Sequence, residues 1–383
     1  MRKRKIAVFT GNRAEFGLLY PVIRKMSLDK ALDVRLIISG SHLQDDFGKT
    51  IEEINDSRVS SVKNTILRIN NKSGIPERIS EIIQRGKEAL ARIDPDILVL
   101  AGDRYETFAM GIAAFYMNIP IAHIFGGDIS QGGHLDDSIR HSLTKISHMH
   151  FVSNEDSYKR VINLGEEKWR VFNVGSTAMD NILSGKFSSA DEIARMLCLD
   201  LNKPVIIFTQ HPVTTESELA YYQAKKSLQA LKELGFQTVV TYPCNDTGCE
   251  GIIKAINEYA SMPNFRVRKS LGWKSYFGLL KVASAVVGNS SSGIIETPVF
   301  KVPCVNIGTR QAGRFRSSNV IDAPYERTAI KRAIKKAVCD KKFRRLVRKC
   351  HNPYGNGNAS SKIVSVLKSM PLNKALLQKK ITF

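Results

Sequence analysis

Cysteine is sparse in this 383-residue sequence, and none of its six cysteines forms a C-x-x-C pair. This argues against a disulfide framework and favours reduced thiols in the cytoplasm. Long apolar runs are also missing, because no stretch approaches the ~20 residues that a membrane-spanning helix needs. The basic start is followed by an apolar run of only Ile6 to Phe9, which is too short for the core of a secretory signal. We therefore expect a cytoplasmic protein with no membrane insertion.

Acidic residues are few relative to basic ones, and the formal net charge is +21. This charge is compatible with a nucleic-acid surface, with binding to anionic lipid, or with a field that attracts an anionic small substrate. The most basic segments, 331–349 and 374–380, contain few aromatic side chains on which bases could stack. Solvated helix faces therefore explain these two segments better than a nucleic-acid site does.

Short apolar runs of strand length alternate with helical patterns, and this rhythm predicts parallel strands joined by helices. The length of the chain suggests two such lobes. In the first lobe we expect helices that begin near Pro76 and Tyr105. The predicted strands are Lys5–Phe9, Val34–Ile38, Ile97–Ala101 and Ile119–Ile124, then Val205–Thr209, Thr238–Tyr242, Ala285–Gly288 and Cys304–Ile307. The predicted fold class is α/β, with two doubly wound Rossmann-like domains that face a central cleft.

A polar stretch, Ser184 to Asp191, separates the two series of strands. We therefore predict an N-terminal domain over residues 1–181 and a C-terminal domain over residues 182–359. Residues 360–383 contain a last helix, about Ser360 to Ser369, and a tail that can pack back on the N-terminal domain.

Open α/β sheets bind ligands at the carboxyl ends of their strands, so the residues that follow each strand are candidates for a site. Thr10 to Gly17 is a Gly-containing turn that leads into a helix, whose first N–H groups could hold a phosphate with help from Arg13. The spacing matches neither a Walker A loop nor G-x-G-x-x-G. A simple strand-to-helix turn explains this segment equally well.

Carboxylates follow two further strands of the first lobe. Asp103 comes directly after Ile97–Ala101, where capping of the next helix is the alternative role. Asp128, Asp136 and Asp137 lie in a segment that is also rich in histidine. Crowded titratable groups of this kind can supply an acid and a base.

A metal site built from His141, His148 and His150 is the less favoured interpretation of these histidines. No cysteine or carboxylate stands at a standard ligand spacing from them. Packing of a helix face and of a strand start explains them adequately, and we predict no metal.

The second lobe carries the stronger phosphate signal. The loop Gly288 to Gly293 follows a strand and opens a helix, so the hydroxyl and N–H groups of its residues suit a diphosphate; the loop members we select are Ser290, Ser291, Ser292 and Gly293. Glu296, one turn further on, can accept hydrogen bonds from both ribose hydroxyls, although a favourable charge at the helix start is its alternative role.

Two more segments of the second lobe end in suitable side chains. His211 follows the strand Val205–Thr209, and the loop Gly308 to Arg314 offers the guanidinium groups of Arg310 and Arg314. Two phosphates would suit two arginines.

Taken together, these motifs resemble the hydrolysing UDP-N-acetylglucosamine 2-epimerase family, which serves sialic and legionaminic acid precursor pathways. The resemblance spans nearly the whole chain. It rests on Gly11–Glu15, Gly40–Leu43 with Asp46–Gly48, Gly102–Arg104, Asp136–His141, Gln210–Thr215, Gly288–Gly293, Gly308–Arg314 and Tyr354–Ala359. It implies the two-lobed glycosyltransferase-B-type fold and a homodimer.

The resemblance also implies roles for the candidate residues. The side chains expected to hold uridine diphosphate (UDP) are Arg13, His211, Ser291, Ser292 and Glu296, with Arg310 near the phosphates. Asp103 and the pair Asp136/Asp137 are expected to carry out the chemistry. One departure stands out, because Phe125 occupies a place where several family members have glutamate. Either the remaining carboxylates suffice, Asp128 included, or the pocket accepts a sugar with fewer hydroxyls.

The resulting hypothesis is a conversion of UDP-N-acetylglucosamine and water to N-acetylmannosamine and UDP. A carboxylate removes the C2 proton while the bond to UDP breaks, and His211 and the arginines stabilise the leaving diphosphate. This chemistry needs no cofactor. An alternative is the same reaction on UDP-2,4-diacetamido-2,4,6-trideoxyglucose. More distant alternatives are a two-domain UDP-sugar glycosyltransferase and a nucleic-acid binder, for which no recognised motif is found.

Overall fold

The computed structural model describes residues 2–44, 50–55, 59, 62–70, 73–130, 134–244 and 246–383, without the side chains of Arg13, Ala14, Glu53 and His134. The chain divides into two compact units. The first unit comprises Met1–Asp128, Asp136–Ser184 and Tyr354–Phe383, and the second comprises Ile129–Leu135 and Gly185–Pro353.

The first unit is built on a sheet in which the described strands pair in parallel, in the order β3-β2-β1-β4-β5-β6-β7. Its strands are β1 (Arg4–Thr10), β2 (Leu32–Ile38), β3 (Lys63–Ile66), β4 (Ile97–Ala101), β5 (Ile121–Ile124), β6 (Met149–Val152) and β7 (Val171–Asn173). The strand order reverses between β1 and β4, which makes the carboxyl ends of these two strands the place where such sheets bind ligands.

The second unit repeats this plan with a parallel sheet in the order β10-β9-β8-β11-β12-β13. Its described strands are β8 (Val205–Thr209), β9 (Gln237–Thr241), β10 (Phe265–Arg268), β11 (Ala285–Gly288), β12 (Cys304–Ile307) and β13 (Val320–Ala323). Here the order reverses between β8 and β11.

Helices connect the strands in both units. The described helices are α1 (Arg13–Ser27), α2 (Ile51–Asn55), α3 (Ile75–Ile93), α4 (Tyr105–Tyr116), α5 (His134–Ile146), α6 (Glu155–Asn163), α7 (Ala178–Leu183), α8 (Ala190–Leu197), α9 (Ala220–Leu234), α10 (Cys249–Asn257), α11 (Gly272–Val282), α12 (Ser292–Ile295), α13 (Thr297–Phe300), α14 (Arg327–Cys339), α15 (Lys341–Arg348), α16 (Ala359–Ser369) and α17 (Lys374–Leu377). None of these helices combines the length and the apolar character that a bilayer crossing requires. The six cysteines carry free thiols.

The predicted pair of doubly wound α/β domains is confirmed, and four strands have the predicted bounds: β4, β8, β11 and β12. The strand expected at Ile119–Ile124 begins later, at Ile121, and the Pro120 carbonyl accepts the N–H of Leu98 just before it. Strands β3, β7, β10 and β13 were not predicted, because they are short and carry polar or exposed positions that weaken an apolar pattern. The fully buried β6 was also missed, since its four residues include a histidine.

Buried apolar side chains form a core on each sheet. In the first unit Leu98 and Leu100 of β4 pack with Ala109 and Met110 of α4. In the second unit the cluster joins β8, β9 and β11 to α9, α10 and α14 through side chains such as Phe208 and Ile334. Burial of apolar surface stabilises the folded state by about 25 cal/mol per Å². Each sheet is therefore stabilised by packing against the helices of its own unit.

Gly288 ends β11 at a place where no other residue fits. Its φ is +130°, and a Cβ atom there would overlap the carbonyl oxygen of Thr209 on the neighbouring strand β8. Gly235 provides a matched control, because its φ is +69° but nothing lies within 4 Å of the position that a Cβ atom would take. The two glycines therefore separate backbone strain from steric overlap.

We expect Gly235→Ala to lower the free energy of unfolding by about 1–2 kcal/mol through backbone strain alone. Gly288→Ala should cost at least a further ~1–3 kcal/mol, because β8 and β11 must move apart. Urea unfolding of both variants, followed by circular dichroism, measures the difference. Equal losses would show that the overlap with Thr209 is relieved at no cost.

Candidate active site

A buried arginine gathers the carboxylates of the first unit. The Arg140 guanidinium, only 2% exposed, donates hydrogen bonds to Asp103 and Asp137 and to the backbone carbonyl of Asp128 at 2.7 Å. Asp103 follows β4, whereas Asp137 and Arg140 lie in the first two turns of α5. A buried cation needs such partners, and here it holds two carboxylates close together in spite of their like charge. This pair can therefore serve acid–base chemistry at one place.

The alternative role for Asp103, capping of the following helix, is wrong. The N-cap position of α4 is Arg104, which makes no side-chain capping bond, and the Asp103 carboxylate binds Arg140. Asp136 stands beside Asp137 in the first turn of α5 and is half-buried. The structure thus places Asp103 and Asp137 on one guanidinium, with Asp136 next to them in sequence.

Asp128 has a different environment from the other three aspartates. It is buried, and its Oδ1 atom accepts hydrogen bonds from Ser153 Oγ at 2.7 Å, Ser157 Oγ at 2.6 Å and Asn154 Nδ2 at 3.5 Å. These groups come from the end of β6 and the start of α6. The contacts tie the carboxylate to the scaffold while its carbonyl supports Arg140.

The histidines His123, His148 and His150 of the first unit have hydrogen-bond partners within the fold. His123 lies on β5, and its Nε2 donates to the Gly102 carbonyl at 2.7 Å, directly before Asp103. Burial lowers the pKa of His123, His148 and His150 to about 4, so these rings are neutral at physiological pH. His148 Nδ1 accepts the N–H of Ile121, and His150 donates to Glu166 at 3.0 Å. Within the described ranges, no group of three or more His, Cys, Asp or Glu side chains could hold a metal ion.

The turn after β1 is occupied by the protein's own side chains. Asn12 caps α1 by accepting the N–H of Glu15 at 3.0 Å, and Glu15 Oε2 accepts the N–H of Gly11 at 2.8 Å. One helix-start N–H group, that of Glu15, and the N–H group of Gly11 in the turn are thus already paired. Binding of a phosphate by the other N–H groups of the helix start stays a prediction. The side chain of Arg13 and the motif Asp46–Gly48 lie outside the described residues.

Glu15 belongs to a buried acidic pair with Glu106. Glu15 also accepts a hydrogen bond from Thr107 at 3.0 Å, and Glu106 accepts one from Arg104 at 3.2 Å. Burial, followed by the charge of Glu106, raises the pKa of Glu15 to about 7. The carboxyl ends of β1 and β4 therefore carry two more acidic groups besides Asp103.

In the second unit His211 is fixed from two sides at the reversal point of the sheet. The Asn289 side chain accepts the backbone N–H of His211 at 2.6 Å and donates to its carbonyl at 2.9 Å. The backbone N–H of Cys244 donates to Nδ1 of the His211 ring at 3.1 Å. Since Nδ1 is an acceptor, the neutral ring carries its proton on Nε2, which makes that atom a hydrogen-bond donor.

Three side chains form a chain of hydrogen bonds at the start of α12. Tyr276 and Ser292 are joined through their hydroxyls at 2.6 Å, and Ser292 Oγ donates to the Glu296 carboxylate. Burial raises the pKa of Glu296 to about 7, although the bond from Ser292 opposes that change. The Glu296 carboxyl group thus ends a hydrogen-bonded chain that begins at Tyr276.

Arg310 and Arg314, expected to serve two phosphates, lie in different surroundings. Arg310 donates to the Asn289 carbonyl at 3.4 Å. Asn289 directly precedes the serine loop, which comprises Ser290 to Gly293. Arg314 donates to Ser130 Oγ at 2.8 Å and to the Ile129 carbonyl at 3.3 Å. Arg310 therefore lies with His211 and the serine loop, whereas Arg314 binds the segment 129–130.

The family model described as UDP-N-acetylglucosamine 2-epimerase matches residues 24–368. The chain is 37% identical to a GDP/UDP-N,N'-diacetylbacillosamine 2-epimerase (hydrolyzing) of Campylobacter jejuni, over 84% of this chain and 85% of that protein. It is 33% identical to the UDP-N,N'-diacetylbacillosamine 2-epimerase (hydrolyzing) of Legionella pneumophila, over 98% of each. The chain belongs to the UDP-N-acetylglucosamine 2-epimerase family.

A solved structure shares the fold of this family member. The UDP-GlcNAc 2-epimerase of Neisseria meningitidis, bound to UDP-GlcNAc, superposes with a TM-score of 0.82 at 20% identity, over 95% of this chain and 99% of that one. The resemblance inferred from the motifs, and with it the fold class and the enzyme class, is confirmed.

Four residues with a clear place in this epimerase-family site were not selected from the sequence: Glu15, Arg140, Tyr276 and Asn289. Glu15, Arg140 and Asn289 stand inside the motifs that carry the family resemblance, but a motif does not show which side chain holds another. Tyr276 had no signal in the sequence, because its link to Ser292 spans 16 residues.

Phe125, the residue singled out as a departure from the family pattern, directly follows β5. It is buried, with an unusual φ of +71°, and its N–H donates to the Phe151 carbonyl at 2.9 Å. The neighbouring Ile124 carbonyl accepts the N–H of Gly102, the residue before Asp103. A non-glycine residue in this conformation costs about 1–3 kcal/mol and is typical of functional sites.

The raised pKa of Glu15 makes stability depend on pH. Its pKa of about 7 in the folded chain exceeds the 4.5 of an exposed glutamate, so the folded chain holds this proton more tightly. The stabilisation, about 3 kcal/mol, is full below pH 4.5 and is lost as the pH rises through 7. Between pH 5 and pH 8 the free energy of unfolding should fall by about 2 kcal/mol more in the wild type than in Glu15→Gln.

Denaturant unfolding at a series of pH values measures this effect. Glu155→Gln, at an exposed glutamate in the first turn of α6, is the control and should keep the wild-type pH dependence. A Glu15→Gln variant with an unchanged pH dependence would show that Glu15 is ionised in the folded chain.

Proposed function

We propose that this protein is a hydrolysing UDP-sugar 2-epimerase, which converts UDP-N-acetylglucosamine and water to N-acetylmannosamine and UDP. Membership of the epimerase family supports the reaction class. The observation that carries the proposal is the pair of carboxylates, Asp103 and Asp137, held on Arg140 beside the reversal point of the first sheet. Such a pair can supply the proton transfers that inversion of C2 demands.

In this proposal the second unit holds the nucleotide. The Nε2–H of His211 and the guanidinium of Arg310 donate to the diphosphate, together with the serine loop from Ser290 to Gly293. Glu296 accepts hydrogen bonds from the ribose hydroxyls. It is suited to this role because it lies one helical turn after Ser292 and already accepts a hydrogen bond from that hydroxyl. Arg13 of the first unit is the remaining proposed UDP contact.

The first unit then performs the chemistry. A carboxylate, Asp103 or Asp137, takes the proton from C2 as the bond between C1 and the diphosphate oxygen breaks, and UDP leaves with the bonding electrons. The resulting glycal has a double bond between C1 and C2. Water adds at C1 and an acid returns a proton to C2 from the opposite face, which yields the free manno-configured sugar. Asp136 and Asp128 remain proposed contributors, and the contacts of Asp128 favour a positioning role.

Stabilisation of the leaving group has to supply much of the rate, since a carbon-bound proton is very weakly acidic. His211 is suited to this task, because Asn289 and Cys244 fix its backbone and its ring before any ligand arrives. Donors that need no reorganisation stabilise developing charge most effectively.

We also propose that the enzyme acts as a homodimer in the cytoplasm.

A second candidate substrate is UDP-2,4-diacetamido-2,4,6-trideoxyglucose, also called UDP-N,N'-diacetylbacillosamine. The Campylobacter and Legionella relatives are named for this sugar. Phe125 favours it further, because an apolar side chain directly after β5 suits a 6-methyl group better than a hydroxyl group. The product would then serve legionaminic acid synthesis, whereas N-acetylmannosamine serves sialic acid synthesis.

Incubation of the enzyme with each UDP-sugar in heavy water, followed by proton NMR, tests the proposal. We expect UDP and a free manno-configured sugar that carries deuterium at C2, because the abstracted proton exchanges with solvent. Release of UDP with no acceptor present argues against a glycosyltransferase. A product that keeps its C2 proton, or no reaction with either sugar, would contradict the proposal.

The division of labour between the units has its own test. Asp103→Asn should lower kcat by about 10²-fold or more through loss of the proton-transferring carboxylate and of its ion pair with Arg140, and leave UDP affinity near the wild-type value, because the proposed nucleotide contacts are other residues. Glu296→Ala should weaken UDP binding by about 10-fold or more, through loss of charge-assisted hydrogen bonds to the ribose. Isothermal titration with UDP and single-turnover rates separate the two effects. Equal loss of UDP affinity in both variants would reassign Asp103 to binding.

A further inference from the structure

The last ten residues of the chain are anchored inside the first unit. Arg170, fully buried, donates to the backbone carbonyls of Leu376 at 2.6 Å, Ala375 at 2.7 Å and Gln378 at 3.3 Å. Its guanidinium also lies over the Trp169 ring, 4.1 Å from the ring centre. Arg170 also donates to the Glu167 carboxylate at 2.7 Å and to the His148 carbonyl at 3.3 Å. A buried arginine that binds three carbonyls of the tail, residues 374–383, fixes the path of residues 375–378.

The fixed tail delivers one cation to the end of the helix that bears the carboxylates. Lys379 Nζ donates to the carbonyls of Thr144 at 3.1 Å, Lys145 at 2.8 Å and Ser147 at 2.6 Å. These carbonyls lie in and just after the last turn of α5, where a helix leaves its carbonyl groups without internal partners. A cation at this end also interacts favourably with the helix dipole.

The Lys379 ammonium is itself balanced by Glu166, a completely buried carboxylate 2.7 Å away. Glu166 also accepts hydrogen bonds from Lys145 at 2.8 Å and His150 at 3.0 Å. Burial raises the pKa of Glu166, but the bonds from His150, Lys145 and Lys379 outweigh it and bring the pKa to about 2. A buried, ionised carboxylate needs cationic partners, and the tail supplies one of them besides Lys145.

Helix α5 joins this anchor to the candidate active site. Thr144, whose carbonyl binds Lys379, donates from its hydroxyl to the carbonyl of Arg140 one turn earlier at 3.1 Å. Arg140 in turn holds Asp103 and Asp137. The distance from Arg140 to Ser147 along the helix is about 10 Å, so a shift at one end of α5 moves the other.

We propose that Lys379 is a positioning residue for catalysis: the C-terminal tail holds α5 from its carboxyl end and so sets the place of Arg140 and its two carboxylates. The inference rests on the proposed function, because its main readout is turnover of the UDP-sugar. Misplacement of a catalytic group by ~1 Å can cost ~10²-fold in rate. A purely structural role would lower stability and leave kcat of the folded enzyme unchanged.

The test compares Lys379→Met with Lys380→Met, its exposed neighbour on the same tail. At a temperature well below unfolding, Lys379→Met should lower kcat about 10- to 100-fold and leave KM and UDP affinity near wild type. Lys380→Met should behave as wild type, and Lys379→Arg, which keeps the charge and the donors, should recover part of the rate. Hydrogen exchange of the peptide 134–147 should accelerate only in Lys379→Met.

The double variant Glu166→Gln with Lys379→Met distinguishes positioning from stability. In Lys379→Met the buried Glu166 keeps only Lys145 and His150 as partners. Removal of its charge should recover part of the thermal stability, while turnover stays low because the α5 carbonyls no longer bind an ammonium group. This variant carries the test if Lys379→Met fails to fold. The inference is overturned if kcat of the folded variants matches that of Lys380→Met, or if kcat and UDP affinity fall together. If the wild-type enzyme is inactive on both UDP-sugars, the proposed function is contradicted instead. Hydrogen exchange of the peptide 134–147 then still shows whether Lys379 holds the end of α5.

Discussion

The candidate chemistry of the first unit depends on one buried cation. Two carboxylates at short range repel each other, and neither Asp103 nor Asp137 could be held in place by its own backbone alone. Arg140 removes the repulsion and adds direction, because its planar guanidinium has donors at fixed angles for both groups and for the Asp128 carbonyl. The positions of Asp103 and Asp137 therefore depend on where α5 places one side chain.

In the second unit a neutral side chain, that of Asn289, holds the proposed diphosphate ligand His211 in place. Asn289 binds both the N–H and the carbonyl of His211, a pairing that joins the loops after β8 and β11 across the reversal point of the sheet. Gly288 makes this close approach feasible, since its missing side chain leaves space for the Thr209 carbonyl. Because the donor atom of His211 needs no charge of its own, an amide is sufficient where the first unit needs a guanidinium.

Local sequence patterns predicted which residues line the strand ends, and contacts over long distances in sequence decided what those residues do. Asp103 could be selected because it follows a wholly apolar strand, and its position after β4 is confirmed. Its partner Arg140 is 37 residues away, and no local pattern links the two. The same applies to the Glu15–Thr107 bond, which spans 92 residues, and to Lys379 at the end of α5. Turn chemistry was also underestimated, because the N–H of Glu15 at the helix start is paired with Asn12 and the N–H of Gly11 in the turn with Glu15.

The high positive charge has several explanations once individual cations are located. Arg140, Arg170 and Lys379 lie inside the first unit and balance buried carboxylates or carbonyl groups, so they do not contribute to an exposed binding surface. In α15 the apolar side chains Phe343 and Val347 are buried, while the basic residues between them are exposed. That pattern is typical of an amphipathic helix with a solvated cationic face. Part of the excess positive charge therefore has a structural role inside the first unit, and the rest is exposed on solvated surfaces. The electric field of the exposed charges would attract a substrate with two phosphates and needs no dedicated nucleic-acid surface.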